Sequence, residues 1–203
     1  MNQAAPTPAP DASAPSIHDQ IVEAADAHFS RFGYAKTTMA DLARAIGFSK
    51  AYLYKFFDSK QAIGEAICTK TLAGQYAAIV AAVDAAPGPN EKVRAMLRTA
   101  VEQCLAQFFA ERQLYDIVAH SRAENWTSSV KHIAQLNDLL KGIIREGRAS
   151  GDFEKKTPLD EVCQGIWLAA LPLADPVLLQ HNLDLVEDGL PAVTGLILRS
   201  LAP

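Results

Sequence analysis

An all-α fold of about nine helices is predicted by three features of this 203-residue sequence. Apolar residues recur at three- and four-residue steps along most of the chain, with no alternating strand pattern and no internal repeat. Glycines and prolines are modest in number and sit mostly at the breaks between these periodic stretches. Hydrophobic residues make up 49% and charged residues 21% of the chain, enough for a substantial core.

Residues 1–15 read differently. Prolines at positions 6, 8, 10 and 15, with small residues between them, disfavour helix and offer little to bury, so a disordered tail is expected. The start lacks the basic stretch and apolar core of an export signal. No run approaches the uninterrupted apolar length that spans a bilayer. Cys68, Cys104 and Cys163 are odd in number and far apart, matching neither a disulfide framework nor a metal spacing. A reducing, cytoplasmic (nucleoid-associated) setting follows, with no membrane partner, no metal and no cofactor.

The first helix opens at Ser16, which with Asp19 forms a cap. Ile17, Ile21, Ala24, Ala25, Phe29 and Phe32 make its apolar stripe, and Gly33 ends it. In the stretch Thr37 to Lys60, Thr38 and Asp41 form a capping box. Met39, Leu42, Ala43 and Ile46 line one face of a short helix, and Gly47 suits the left-handed position beyond it. Ser49 caps a second short helix with Leu53 and Phe57 inward and Lys50, Tyr52 and Lys55 outward. Asp58 with Gln61 reads as a third start signal. Helix, tight turn, cationic helix is the pattern of a helix-turn-helix. Between residues 31 and 60, six cations face two anions, a net of +4, so the remainder of a chain of net −4 carries −8. A basic patch on an acidic protein is what phosphate binding requires.

The run Phe32 to Ile63 resembles the DNA-binding domain of the tetracycline-repressor family of bacterial regulators. The resemblance is carried by Phe32-Gly33-Tyr34, Thr37-Thr38-Met39, Leu42-Ala43, Ile46-Gly47-Phe48-Ser49, Leu53-Tyr54, Phe56-Phe57 and Ser59-Lys60. It implies a three-helix DNA-binding domain followed by a helical domain for effector binding and dimerisation, with partition 16–66 and 67–203. DNA contacts are expected from Thr37, Thr38, Met39, Ser49, Lys50, Ala51, Tyr52, Tyr54, Lys55 and Lys60. Of these, Lys50 and Tyr52 project from the first turn of the second short helix, within reach of base edges. The resemblance makes Lys60 a phosphate contact. Two departures bear on base reading: Ala51 and the bulky Tyr52 stand where the family often has a small residue and then Thr or Ser. Met39 stands where some members carry a base-reading cation.

From Asp58, helix continues to about Ala86, a long element suited to carry motion, until Pro87-Gly88-Pro89 stops it. Asn90 opens the next helix, with Val93, Leu97, Val101, Leu105 and Phe108 on one face. After a break near Arg112 comes Leu114 to Val118, then a polar interruption from His120 to Asn125. Trp126 begins a long helix with Ile133, Leu136, Leu140 and Ile143 inward. Thr157-Pro158-Leu159-Asp160 reads as cap, proline and acid of a new helix. Pro172 and Pro176 kink or divide it, and Leu183 to Leu201 forms the last helix, bent at Pro191. Ala169, Ala170, Leu173, Leu190, Val193, Ile197 and Leu201 exceed what one domain edge buries. The resemblance assigns them to a homodimer interface.

A ligand-responsive DNA-binding regulator is the function this predicts, most simply a repressor released from a pseudo-palindromic operator by a small apolar or aromatic effector. Cys104, Phe108, Tyr115, His120, Trp126, His132, Cys163 and Trp167 are the candidate effector-binding residues, as apolar or polar groups spread over the segments that surround ligand in the family. Arg122 is the one cation clearly on these inward faces. A DNA-binding domain fused to a helical enzyme is the alternative, with His120, His132 or Cys163 as its candidates. No nucleophile–base spacing supports it, so no enzymatic activity is expected.

Overall fold

A computed structural model describes residues 16–203; the proline-rich segment 1–15 lies outside the described residues. The described chain is helical throughout, with no strand among the described residues. It comprises α1 (Ile17–Phe32), α2 (Met39–Ile46), α3 (Lys50–Leu53), α4 (Lys60–Asp84) and α5 (Pro89–Ala110). These are followed by α6 (Arg112–Ala123), α7 (Thr127–Ser150), α8 (Leu159–Ala174), α9 (Pro176–Leu179) and α10 (Val186–Leu201), with a short 3₁₀ turn at Leu183–Leu185 before the last. The count exceeds the expected nine because Asp175 caps a separate four-residue helix after α8.

The first four helices start as the side chains dictate. Ser16 Oγ accepts from Asp19 N–H at 3.1 Å, and Ser49 Oγ from Tyr52 N–H at 3.1 Å. Thr38 Oγ1 accepts from Asp41 N–H at 3.2 Å while Asp41 Oδ2 accepts from Thr38 N–H at 3.0 Å, closing the capping box. That bonding with Thr38 holds the Asp41 carboxyl below its usual range. Gly47 sits at φ 79°, ψ 21°, the left-handed region where a side chain is strained.

Several boundaries differ from expectation. The cap of α4 is Ser59, whose Oγ accepts from Ala62 N–H at 3.0 Å, and not Asp58. Pro89 occupies the first turn of α5, so Gly88 and not Asn90 is its cap. At α8 the cap position is Pro158, one residue later than expected: Val162 N–H donates to Pro158 O, whereas Thr157 O accepts from Arg148 Nη2 at 2.6 Å. Helix α6 runs through His120 to Ala123, so the polar residues there continue the helix instead of breaking it, with Ser121 buried and Arg122 half-buried. Pro172 and Pro191 both lie inside continuous helices. Each removes one donor, leaving the carbonyl four residues back unbonded in the helix. Those carbonyls belong to Leu168 and Glu187, both exposed residues where water can take the bond.

Two apolar clusters organise the molecule. One joins α1–α3 and the start of α4 through Ile21, Phe29, Leu42, Leu53 and Ile63, and takes in Ile117, Val118 and Trp126. The other packs α4, α5, α7, α8 and α10 around Val93, Leu140, Ile144, Phe153 and Ile166. Helix α4 belongs to both. Its 25 residues have a mean hydropathy of 1.3 over their most apolar window, long and apolar enough to cross a membrane by length and composition, contrary to expectation. It packs against α1, α5, α6 and α7, with 33% of that window buried.

Candidate DNA-binding and effector sites

Helix α3 and the residues on either side of it present Ser49, Lys50, Ala51, Tyr54 and Lys55 as exposed residues, with Leu53 fully buried beneath them. Leu53 and, just past α3, Phe57 anchor this stretch to the core, which fixes the outward direction of Lys50 and Lys55. Tyr52 is half-buried in a row of edge-to-face rings, 4.9 Å from Phe48 and 5.3 Å from Phe56. Lys55 Nζ stands 5.6 Å from the Tyr52 ring and Lys50 Nζ 5.8 Å from that of Tyr54, so both ammonium groups are steadied on aromatic faces. Thr38 is exposed at the start of α2.

Two of the expected DNA contacts turn inward. Thr37 is 3% exposed, with its hydroxyl donating to Gly33 O at 2.8 Å. Met39 is 8% exposed and packs in the core. Both side chains hold the approach to α2. Lys60 is half-buried: its ammonium donates to Tyr34 O at 2.9 Å and lies 4.3 Å from the Tyr34 ring centroid, and burial lowers its pKa. Arg31, Lys36 and Arg44, counted in the sequence only as charge, line an open groove of about 780 Å³ between α1 and α2.

Behind this surface lies a junction of rings. Tyr34 is 5.4 Å from His120 and 5.5 Å from Trp126, and His120 is 5.4 Å from Trp126. Gly64 of α4 makes room for it, since a Cβ there would stand 2.8 Å from the Trp126 ring. Next along α4, Glu65 accepts from the backbone N–H groups of Thr127 and Ser128 at 2.8 and 2.9 Å, capping α7 from α4. His120 and Trp126 therefore belong to the joint between the helix-turn-helix and the later helices, away from the cavity described next.

A cavity of about 50 Å³ lies among α4–α9. Its apolar walls are Leu72, Val118, Ile133, Leu136, Trp167, Ala174 and Pro176, and its polar groups are Gln75, Cys104, Arg122, Ser129, His132 and Asp175. Arg122 Nε donates to Asp175 Oδ2 at 2.8 Å, and Asp175 also caps α9 by accepting from Val177 N–H at 2.9 Å. His132 Nδ1 is buried without a hydrogen-bond partner, and burial pushes the imidazole down to about 4, so it is neutral at pH 7. Of the eight expected effector residues, Cys104, His132 and Trp167 line this cavity. Tyr115 supports it from behind, its hydroxyl donating to Pro176 O, and Phe108 packs 5.0 Å from Tyr115. Cys163 is instead buried in the second apolar cluster. Burial pushes the Cys68 and Cys104 thiols up to about 12, which makes them poor nucleophiles.

The expected dimer residues divide as well. Ala170, Leu173, Ile197 and Leu201 are buried within the chain, whereas Ala169, Leu190 and Val193 are half-buried. The apolar side chains left outermost on α8 and α10 are their neighbours Leu168 and Leu196, each 58% exposed. Sequence periodicity missed them because the monomer's own core takes the other face of the same helices.

Comparison with known proteins agrees with this geometry. Residues 21–67 match the profile of bacterial regulatory proteins of the tetR family, and residues 89–189 that of a tetracyclin repressor-like C-terminal domain. Over 49 residues, 24% of this chain, the sequence is 45% identical to the biofilm operon icaADBC HTH-type negative transcriptional regulator IcaR of Staphylococcus aureus. That match spans about a quarter (26%) of the relative's length. The crystal structure of the TetR family transcriptional regulator PfmR from Thermus thermophilus is 25% identical and superposes with a TM-score of 0.58, covering 90% of this chain and 99% of PfmR. The fatty acid degradation regulator FadR from Bacillus halodurans shares the fold at 18% identity and a TM-score of 0.64, covering 92% and 95% of the two chains. Two family profiles in tandem, an exposed cationic α3 and a helical remainder enclosing a cavity lead to one assignment: the chain belongs to the tetR family of DNA-binding transcriptional regulators.

Proposed function

We propose that this chain is a ligand-responsive repressor which binds a pseudo-palindromic operator as a homodimer. The observation that carries the reading is the exposed row Ser49, Lys50, Ala51, Tyr54 and Lys55, set on a buried Leu53 within a stretch of net charge +4. Residues 16–66 form the DNA-binding unit and 67–203 the effector and dimer unit in this reading, with α4 shared between them. Lys50 supplies donors to guanine, Thr38 and Tyr54 meet phosphates, and Lys60 adds a phosphate contact with the donors left free by Tyr34.

Release follows from the joint. An effector that enlarges the cavity moves α6 and α7, which line it through Val118 and His132. Those helices hold α4 through Glu65 and Trp126, and the helix-turn-helix through Tyr34. A small tilt there shifts the two recognition helices away from the spacing of about 34–36 Å that successive major grooves demand. The effector needs only a higher affinity for the tilted shape.

Dimerisation rests on Leu168 and Leu196, which a monomer leaves in water. The test is sedimentation together with operator binding by the full chain. Wild type is expected to sediment as a dimer and to bind an inverted repeat from its own upstream region with one dimer per site. Leu196→Arg is expected to give a folded monomer with at least about tenfold weaker binding, since half-site affinities no longer combine. A folded wild-type monomer at micromolar concentration, or binding with no preference for any inverted repeat, contradicts the reading.

A further inference from the structure

The cavity that encloses Arg122 and His132 is too small as it stands for an organic effector, yet it has a neighbour. A groove of about 360 Å³ between α7 and α8 is lined by residues that include Val130, Ile133, Lys141, Asp160, Gln164 and Trp167, with Lys141 Nζ paired to Asp160 Oδ1 at 2.6 Å. Ile133 and Trp167 line both spaces, so these two side chains form the partition between them. With the partition turned aside, the joined space enters the range of ligand chambers, about 300–1,000 Å³.

The chemistry of the inner end is restrictive. Among the described residues, Arg122 is the one cation lining the cavity, and Asp175 already holds it at 2.8 Å. Asp175, 7% exposed, is committed in turn to Arg122 and to the first turn of α9. An anionic ligand would have to detach Arg122 from this carboxylate, and a cationic one would have to displace Arg122 itself. Either exchange strands a buried charge. The cavity is thus neutral as built. What it does offer is an unsatisfied polar atom, His132 Nδ1, beside apolar walls from Leu72, Ile133, Leu136 and Trp167. A neutral imidazole carries one donor and one acceptor nitrogen, and a buried ring nitrogen without a partner is costly until a group pairs with it, which a hydroxyl can do in either direction.

Resting on the effector-responsive reading above, we propose that this chamber takes an uncharged, apolar or aromatic ligand bearing one hydroxyl, which enters past Trp167 and hydrogen-bonds His132 Nδ1. The ion pair Arg122–Asp175 selects against carboxylates and amines of the same shape. Trp167 and Ile133 close over the apolar body.

The test uses the full-length protein and three probes of one shape: 2-naphthol, naphthalene and naphthalene-2-carboxylate. Calorimetry is expected to give binding of 2-naphthol at least about tenfold tighter than of naphthalene, near 1.4 kcal/mol, with the carboxylate weaker than both. His132→Leu should erase the preference for naphthol over naphthalene, and His132→Gln, which keeps an acceptor, should restore part of it. Trp167→Ala should quicken probe association by removing the partition. Tighter binding of the carboxylate, no binding of naphthol, an undiminished hydroxyl preference in a folded His132→Leu protein, or an unchanged association rate in Trp167→Ala overturns the proposal. Release of labelled operator is followed separately by fluorescence anisotropy. Naphthol that binds through His132 without releasing DNA leaves the chamber chemistry standing and removes the repressor-release reading; release by carboxylates alone does the reverse.

Discussion

Helices α1–α4 and helices α5–α10 are held in different ways. Each of the first four has a side-chain hydrogen bond at its start, from Ser16, Thr38, Ser49 and Ser59. Among the later ones, α5, α6, α7, α8 and α10 have no such bond from their own cap residue. The short helices α2 and α3, of eight and four residues, cannot sustain themselves by length, so local chemistry defines them. The long helices are fixed by what they pack against, including a cap for α7 that arrives from Glu65 of another helix. A surface that must present side chains in register to DNA is built from local, stiff signals. The domain that the proposed effector would open is built from packing, which can be rearranged.

This difference sets where the molecule breaks. The largest effect is expected from Gly147→Ala in α7, because a Cβ there would lie 2.1 Å from the ring of Phe153, a residue 2% exposed. Overpacking of that kind costs about 3 kcal/mol or more when the neighbour cannot move. Thermal unfolding should show the loss in α5–α10, and a stability within experimental error of wild type would mean the later helices are not packing-limited.

Acid sharpens the contrast. His132 has a folded pKa of about 4 against an ordinary 6.5, so between those values the unfolded chain binds the extra proton. Stability is therefore full above about pH 6.5 and falls as the pH drops toward 4, by at most about 3 kcal/mol at 1.36 kcal/mol per unit. Arg122 across the cavity adds to the cost of protonation and Asp175 offsets it. Asp41, held below its ordinary 3.8 by Thr38, keeps α2 capped until a lower pH. Hydrogen exchange at pH 5 should report opening in α7 before α2, and His132→Leu should flatten the dependence. Loss of α2 first would reverse this order.

The smallest of these effects lies in a cap. Thr38→Ala removes one side of the capping box and is expected to cost about 1 kcal/mol. The loss should appear as faster exchange in α2 with little change in α7. Equal destabilisation of both would show that the two regions do not differ as described.

The same contrast explains what could be read from the sequence. Thr38 with Asp41, Gly47 and Ser49 are local signals, spaced within one turn of what they satisfy, and each sits where its spacing requires. Thr37 and Met39 show the limit: both fall in a family-like DNA-contact stretch, but the fold turns one onto Gly33 O and the other into the core. In the later helices, periodicity found the apolar faces of α8 and α10 without saying which face the chain itself would cover. Ile197 went inside, and Leu196 beside it stayed out. The pairing of Arg122 with Asp175 joins residues 53 apart in sequence, so no local pattern announces it. His132 was legible as a polar group among apolar ones. That its Nδ1 has no partner is a property of the packed cavity alone.

Helix α3 and the turn after it meet DNA, in this reading, through the outward Lys50 and Lys55. Operator affinity of the full chain, measured by fluorescence anisotropy across a series of salt concentrations, tests this most directly. For wild type, log K should fall linearly with log salt, and Lys50→Ala with Lys55→Ala together should reduce the slope by about one, at roughly 0.9 per neutralised phosphate, since Lys55 faces a phosphate and Lys50 a base edge. An unchanged slope in the folded double variant would contradict the placement of α3 at the DNA.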